Sequence, residues 1–291
     1  MLGIDPDPAA LWPVAASAAA QGATPAQAAG AAVEAHCRAL IDATASSCVA
    51  VKPQLARFEA LGAPGRAALG AVVEHAREQG LLVIADGKRG DIDVTAAAYA
   101  SSLFGGLQTP FGHVEGLGAD LVTVNPLMGR DAIAPFLTAA RAAGGGLLLL
   151  VRTSNPGAAD LEDLELDGGE TLWERIAMLV AELGSGGVGE SGLSDVGAVM
   201  GATAPGHLER ARALMGRAFF LLPGIGAQGG RVEDQQAAFR PGRAGGLVSA
   251  SRSIADAYRK AGGGPEQAAA AEAERLRTAA WELSGRSHAH A

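Results

Sequence analysis

The sequence is poor in cysteine and lacks the patterns that mark secreted, membrane-spanning or zinc-binding proteins. Of its 291 residues only two, Cys37 and Cys48, are cysteines, and their spacing fits neither a disulfide framework nor a zinc site. No apolar run approaches the roughly 18–20 uninterrupted residues that a membrane helix needs. Residues 1–12 lack a basic segment followed by an apolar one, so we expect no signal peptide and a cytoplasmic protein.

The balance of charge and the histidine pattern exclude further classes of partner. The net charge of −8 at pH 7 argues against nucleic acid or an anionic membrane surface as a partner. The six histidines form no HExxH or similar ligand set, so we expect no metal. Mg²⁺ held by carboxylates alone stays open as an alternative.

Short apolar runs alternate with stretches of helical periodicity along the chain. The predicted strands are 2–5, 48–52, 81–86, 121–125, 147–152, 198–201, 219–222 and 246–250. The predicted helices are 26–44, 64–79, 94–103, 131–143, 172–183, 205–215 and 254–261, with the weakest signal for one more near 232–239. Apolar strands that alternate with helices indicate a parallel sheet buried on both faces. Eight such units predict an α/β fold, a single (β/α)8 TIM barrel over residues 1–291.

Three segments depart from this alternation. Residues 184–195 are rich in Gly and Ser and are predicted to be a flexible connector. Residues 158–170 are acidic and are predicted to be a surface excursion. A final helix is expected at about 266–283, followed by a frayed polar tail at 284–291.

Polar residues stand at or just after the ends of most predicted strands. They are Asp5, Lys52, Asp86, Asn125, Arg152, Gln228 and Arg252. In a (β/α)8 barrel the carboxyl ends of the strands carry the active site. The sequence therefore predicts a polar site at this end of the barrel.

The segment IADGKRGDI, residues 84–92, is the sharpest candidate for catalysis. Asp86 and Lys88 are two residues apart at a strand end, so both side chains can point the same way. Asp91 follows Gly90, which lets the chain turn, and a second carboxylate there would keep Lys88 charged and oriented. Such a lysine suits proton donation to a carbanion better than Schiff-base chemistry.

Lys52 ends the neighbouring strand, roughly 5 Å away, and can join the array of Asp86, Lys88 and Asp91. A surface ion-pair cluster is the alternative.

Two later segments can bind phosphate and a polar ring. LPGIGAQGG (222–230) and VSASRSI (248–254) follow predicted strands seven and eight, where barrels commonly bind phosphate. Arg252 can grip phosphate oxygens and Gln228 can donate from its amide. In LVRTSNPG (150–157), Ser154 and Asn155 can hydrogen-bond a polar ring, although these residue types also form ordinary turns.

Together these motifs resemble the orotidine 5′-phosphate decarboxylase family, in particular its longer, mycobacterial-type (type 2) bacterial subfamily. The resemblance runs from Gly3 to about Ile254 through GIDPDP, VAVKPQ, IADGKRGDI, VTVNPLMGRDAIAPF, LVRTSNPG, GATAP, PGIGAQGG and SASRSI. The DxKxxD pattern alone is shared with related sugar-phosphate decarboxylases and aldolases. The joint set is more specific.

The resemblance implies conversion of orotidine 5′-phosphate to UMP and CO₂ in de novo pyrimidine biosynthesis, without a cofactor. It implies Lys88 as proton donor, with catalysis by direct loss of CO₂. The catalytic set it implies is Lys88, Asp86, Asp91 and Lys52, and the substrate-binding set is Asp5, Thr95, Ser154, Gln228 and Arg252. It also implies a homodimer in which Asp91, Ile92 and Thr95 reach into the partner's site. Either repulsion by Asp86 or carbanion stabilisation by Lys88 would then lower the barrier.

Two features depart from the resemblance. The chain starts almost inside strand one, where the subfamily has a preceding helical segment, and loss of that segment would expose the bottom of the barrel. Leu127 stands where an aromatic residue is expected.

Two other functions stay as alternatives. One is an Mg²⁺-dependent sugar-phosphate enzyme of the same barrel superfamily. The other is a non-catalytic barrel that binds phosphate or nucleotides.

Overall fold

Eight parallel strands close into a barrel in the computed structural model, which describes residues 1–18, 23–226 and 228–286. In chain order the strands are β1 (Leu2–Ile4), β2 (Ala50–Pro53), β3 (Leu82–Arg89), β4 (Leu107–Thr109), β5 (Gly112–Val114), β6 (Leu121–Val124), β7 (Gly146–Arg152), β8 (Val196–Met200), β9 (Phe220–Leu222) and β10 (Gly246–Val248). All but β4 and β5 pair in the order β1-β2-β3-β6-β7-β8-β9-β10. A parallel bridge between Leu2 and Ala250 joins the last strand to the first. The predicted (β/α)8 architecture is confirmed.

Helices connect successive strands on the outside of the barrel. They are α1 (Pro25–Thr44), α2 (Leu55–Glu59), α3 (Gly62–Glu78), α4 (Asp93–Leu103), α5 (Arg130–Ala142), α6 (Leu172–Gly184), α7 (Gly206–Leu214), α8 (Arg252–Ala255), α9 (Tyr258–Ala261) and α10 (Pro265–Arg286). The predicted helix at 254–261 is in fact two short helices, because the chain leaves helical geometry at Asp256. The weak helix near 232–239 is a 3₁₀ helix, Val232–Phe239, with non-helical angles at Gln235.

The first long helix shows how local sequence sets the boundaries. Thr24 precedes α1, and its hydroxyl accepts a hydrogen bond from the Gln27 amide at 3.3 Å. The Gln27 side chain accepts one from the Thr24 amide at 2.9 Å, which completes a capping box. Pro25 occupies the first helical turn, where no amide hydrogen is needed.

Alternate strand residues face two separate apolar regions. Ala50, Ile84, Leu148, Val199 and Leu221 form a buried cluster inside the barrel. Their neighbours along the strands pack outward against the helices in a much larger cluster. Full burial of each large apolar side chain is worth about 1.5–3 kcal/mol.

Three segments differ from their predicted form. The antiparallel hairpin β4–β5 was not predicted. Residues 184–195 are not a plain connector, since a 3₁₀ turn at Ser185–Gly187 and a bridge between Val188 and Ser194 order them. The last helix extends to Arg286, so the predicted tail at 284–291 starts too early, and residues 287–291 lie outside the described residues. Within the described ranges, no helix is long and apolar enough to cross a membrane.

Candidate active site

A cavity of about 520 Å³ opens where the barrel strands end. It gathers most of the predicted site residues: Asp5, Lys52, Asp86, Lys88, Ser154, Asn155, Gln228 and Arg252. A larger cavity of about 770 Å³ lies at the opposite end of the barrel and is lined mainly by apolar groups such as Leu82, Phe219 and Trp281. Since Lys52, Asp86 and Lys88 converge in the smaller cavity, it is the candidate active site.

Asp86 is the centre of the charge array. Its Oδ2 accepts hydrogen bonds from Lys52 Nζ at 2.5 Å and from Gln54 Nε2 at 3.3 Å. Its Oδ1 accepts from Lys88 Nζ at 2.6 Å and from Thr123 Oγ1 at 3.0 Å. One carboxylate therefore holds two ammonium groups, one on each oxygen.

The environment of Asp86 keeps this carboxylate ionised. Burial raises the pKa of Asp86, but the charges of Lys52 and Lys88 and their hydrogen bonds outweigh it, so the pKa lies below its ordinary value. The side chain of Asp86 is 7% exposed, whereas that of Lys88 is 45% exposed. The carboxylate thus forms the floor of the site, and the Lys88 ammonium stands open to the cavity.

The backbone at Lys88 is strained. Lys88 has φ +48°, in the left-handed region that residues with a side chain rarely adopt. Such conformations cost on the order of 1–3 kcal/mol and persist only where the surroundings hold them. The pairing of β3 with β6 shifts register between Ala85 and Arg89, so the strand continues three residues beyond its predicted end at Asp86. With this irregular backbone, the side chains of Asp86 and Lys88 lie on the same side of the strand and contact each other.

Asp5 lines the same cavity and lies just after β1. Ser251 Oγ donates to Asp5 Oδ2 at 2.7 Å. Asp5 Oδ1 is buried and has no hydrogen-bond partner in the described part of the chain. A side chain at Gly3 would come within 2.1 Å of Ser251 Oγ, so this contact requires glycine in β1. One oxygen of Asp5 is left free to accept a hydrogen bond from a ligand.

The loops after β7, β9 and β10 form another part of the cavity wall. Ser154 Oγ donates to Gln228 Oε1 at 2.9 Å, which ties the first loop to the second. Gly224 and Gly226 have φ +101° and +77°, so glycine is needed for this turn. Arg252 opens α8 after β10 with an exposed side chain. This wall offers amide, hydroxyl and guanidinium donors, as an anion requires.

The acidic segment at 158–170 is largely exposed, as predicted, but two of its carboxylates pair with groups at the barrel mouth. Arg152 at the end of β7 donates to Asp163 through Nε at 2.8 Å and through Nη2 at 2.9 Å. The Thr153 amide donates to Glu162 at 2.8 Å, and Glu162 lines the cavity. Arg152 and the Thr153 amide therefore hold Glu162 and Asp163 against the barrel mouth.

Asp91 and Thr95 are not among the described residues that line the cavity. Asp91 Oδ1 accepts a hydrogen bond from the Ile92 amide at 2.8 Å, and Thr95 is exposed on α4. Within one chain, the carboxylate that orients Lys88 is Asp86 rather than the expected Asp91.

The cavity residues that were not predicted from the sequence include Gln54, Thr123 and Glu162. Gln54 directly follows a strand that ends in lysine and proline, which was a usable signal. Thr123 shares the inward face of β6 with Leu121, while Val122 and Val124 pack outward. A lone polar residue on an apolar inward face was the signal there. Glu162 had none, because its segment carries many carboxylates.

The comparisons with known proteins agree with this geometry. The chain matches the family model described as orotidine 5′-phosphate decarboxylase / HUMPS family over residues 5–269. It is 47% identical over 216 residues to the orotidine 5′-phosphate decarboxylase of Deinococcus radiodurans, covering 74% of each chain. It is 41% identical over 280 residues to that of Azoarcus sp., covering 95% of this chain and 90% of the relative. The solved structure of Leishmania donovani OMP decarboxylase superposes with a TM-score of 0.71 at 32% identity, over 96% of this chain and 92% of that one.

Proposed function

Because the chain belongs to the orotidine 5′-phosphate decarboxylase / HUMPS family, we propose that Lys88 protonates C6 of the pyrimidine in the cavity at the barrel mouth. The reaction is that of a carboxy-lyase, which converts orotidine 5′-phosphate to UMP and CO₂ in pyrimidine biosynthesis. The roles of individual residues, the dimer and the location are the proposals that follow.

The proposed chemistry needs one bond broken and one formed. The bond between C6 and the carboxylate breaks, its electron pair stays on C6, and CO₂ leaves. Lys88 Nζ then gives a proton to C6 and regains one from water. One observation carries this proposal: the Lys88 ammonium lies 2.6 Å from Asp86 Oδ1 and faces the cavity. A charged, directed ammonium is the group that a carbanion beside it requires.

Asp86 has two proposed roles. Its carboxylate fixes Lys52 and Lys88, and it stays ionised because its pKa is lowered. A substrate carboxylate placed beside Lys88 would meet this negative charge, and loss of CO₂ would relieve the repulsion. The positive charge of Lys88 would meanwhile stabilise the electron pair that develops on C6.

The remaining cavity residues would hold the nucleotide. Asp5 Oδ1, which is buried and unpartnered among the described residues, suits a ribose hydroxyl together with Lys52. Gln228 and Arg252 would bind the phosphate, and Ser154 the pyrimidine. Binding of a phosphate remote from C6 can be used to lower the barrier at C6.

We further propose a cytoplasmic homodimer with shared active sites. Asp91 and Thr95 would complete the partner's site, and no nucleic acid or membrane would be involved. The exposed apolar side chains of Ile92 and Val94 beside them, 52% and 82% exposed, support an interface at this face. The motifs support placement in the longer, mycobacterial-type subfamily, with residues 1–291 as one barrel domain.

The test is an assay that follows the loss of orotidine 5′-phosphate absorbance with and without excess EDTA. We expect equal rates, since no step of the proposed reaction uses a metal. Activity that disappears in EDTA would favour an Mg²⁺-dependent enzyme. Binding of UMP without turnover would instead indicate a non-catalytic barrel.

A further inference from the structure

Thr123 is a fully buried residue of β6 whose hydroxyl joins the two residues at the heart of the site. Its Oγ1 donates to Asp86 Oδ1 at 3.0 Å. The same oxygen accepts a hydrogen bond from the Lys88 backbone amide at 2.9 Å. The side chain is 1% exposed, so water does not replace these contacts.

A hydroxyl is the one small group that can make both contacts at once, because it donates and accepts through a single atom. Valine has nearly the same shape and makes neither. The Lys88 amide belongs to a residue with φ +48°, and its conformation needs support from its surroundings. The Thr123 hydroxyl is such a support, since it fixes the direction in which the Lys88 amide points.

The same contact also fixes the carboxylate. Asp86 Oδ1 is the oxygen that accepts from Lys88 Nζ at 2.6 Å. Thr123 therefore holds Lys88 at both ends of its side chain: at the backbone directly, and at the ammonium through Asp86. Gln54 acts only on the other oxygen, at the longer distance of 3.3 Å.

We propose that Thr123 is a positioning residue that sets the direction of the Lys88 ammonium for proton transfer to C6. Its hydroxyl contacts Asp86 and the Lys88 backbone amide, and through these contacts it orients the Lys88 ammonium. The inference rests on the proposed function, since it assumes that Lys88 is the proton donor. It predicts a defect in turnover with little change in substrate binding.

The experiment compares Thr123→Val, Thr123→Ala and Thr123→Ser. A misplacement of a reacting group by about 1 Å can cost about 100-fold in rate, so we expect Val and Ala to lower kcat by about 10–100-fold. KM and the affinity for UMP should change less than about threefold, and Ser should restore most of kcat. Loss of a donor to Asp86 should also move the acidic limb of the kcat profile to higher pH.

Two controls separate positioning from folding and from the proposed function. Thr44 is also fully buried, and its hydroxyl donates to the Leu40 carbonyl within α1 at 2.8 Å. Thr44→Val makes the same chemical change away from the site and should leave kcat and the pH profile unchanged. Lys88→Ala tests the proposed function itself: an active Lys88→Ala variant would overturn that function and the role of Thr123 with it, whereas an inactive Lys88→Ala beside a fully active Thr123→Val would overturn the role of Thr123 alone.

The inference is overturned if Thr123→Val folds and keeps kcat within about twofold while Lys88→Ala is inactive. It is also overturned if the Val and Ala variants both lose UMP binding and thermal stability together with activity. That second outcome would show that Thr123 has only a structural role.

Discussion

The guanidinium of Arg152 holds the carboxylate of Asp163 through two parallel hydrogen bonds of 2.8 and 2.9 Å. Arg152 ends β7, and Asp163 lies in the segment that follows, so the pair folds this segment back over the barrel mouth. These hydrogen bonds keep the pKa of Asp163 below its ordinary value. The pair therefore persists in mildly acidic solution and places Glu162 at the rim of the cavity.

Removal of this pair should weaken substrate binding. For Asp163→Ala we expect a KM for orotidine 5′-phosphate about tenfold higher, with a smaller change in kcat, because the segment is no longer held over the cavity and must be ordered when the substrate binds. Steady-state kinetics checks this. Asp160→Ala changes an exposed carboxylate in the same segment and should leave KM unchanged. Equal effects of the two substitutions would contradict the role given to Asp163.

The phosphate role of Arg252 predicts a binding defect. Arg252→Ala should raise KM and weaken UMP binding by about 2–4 kcal/mol, because the phosphate loses a charge-assisted hydrogen bond. Titration calorimetry with UMP measures the loss. Arg259→Ala removes an arginine that is 52% exposed in its side chain and paired with Asp256, and it serves as the control. An unchanged KM in Arg252→Ala would refute the assignment.

Shared active sites predict that two inactive variants rescue each other. Lys88→Ala and Asp91→Ala homodimers should both be inactive, because each site would lack one of the two groups. In a mixed dimer one of the two sites has both native residues, so random exchange of equal amounts should restore about one quarter of native activity. The assay is turnover after unfolding and refolding the mixture. Absence of any recovery, with dimers confirmed by sedimentation, would place Asp91 outside the partner's site.

His36 predicts a loss of stability in acid. Burial lowers its pKa from 6.5 to about 4, although the nearby charge of Asp256 opposes the shift. The unfolded chain therefore binds this proton more readily between these pH values, so stability is complete above pH 6.5 and falls as the pH drops towards 4. The full loss is roughly 3 kcal/mol.

Denaturant unfolding at pH 7 and pH 5 measures this effect. His36→Asn can keep an acceptor for the Trp12 amide, which donates to His36 Nδ1 at 3.1 Å, and it removes the titrating group. The stability difference between the two pH values should shrink in this variant. His113→Asn, at an exposed position, should keep the native difference. Equal pH dependence in all three proteins would argue against His36 as the source.

The strands were predictable because burial on both faces leaves a clear apolar signature. In runs such as Leu147–Val151 nearly every side chain is buried, either against the helices or in the barrel interior. Short continuous apolar runs of this kind are typical of parallel strands that are buried on both faces. The hairpin β4–β5 was not predictable on this basis. Its residues are largely exposed, Phe111 completely so, and burial therefore imposes no pattern on them.

The candidate site was predictable where polar groups interrupt that signature at strand ends. Asp86 and Lys88 stood out for this reason, and spacing alone placed them side by side. Thr123 did not stand out, because threonine is common in strands. Its importance for the site depends on its side chain facing the barrel interior. The position of Glu162 depends on Arg152, whose pairing with the acidic segment is set by the path of the loop and not by a local sequence pattern.

The central claim is that Lys88 delivers the proton to C6, and the Lys88→Ala variant tests it most directly. Turnover of orotidine 5′-phosphate and the Kd for UMP are measured on the same preparation. We expect turnover to fall by more than about 1,000-fold, with UMP still bound through the phosphate and ribose contacts. Near-normal turnover in Lys88→Ala would contradict the account.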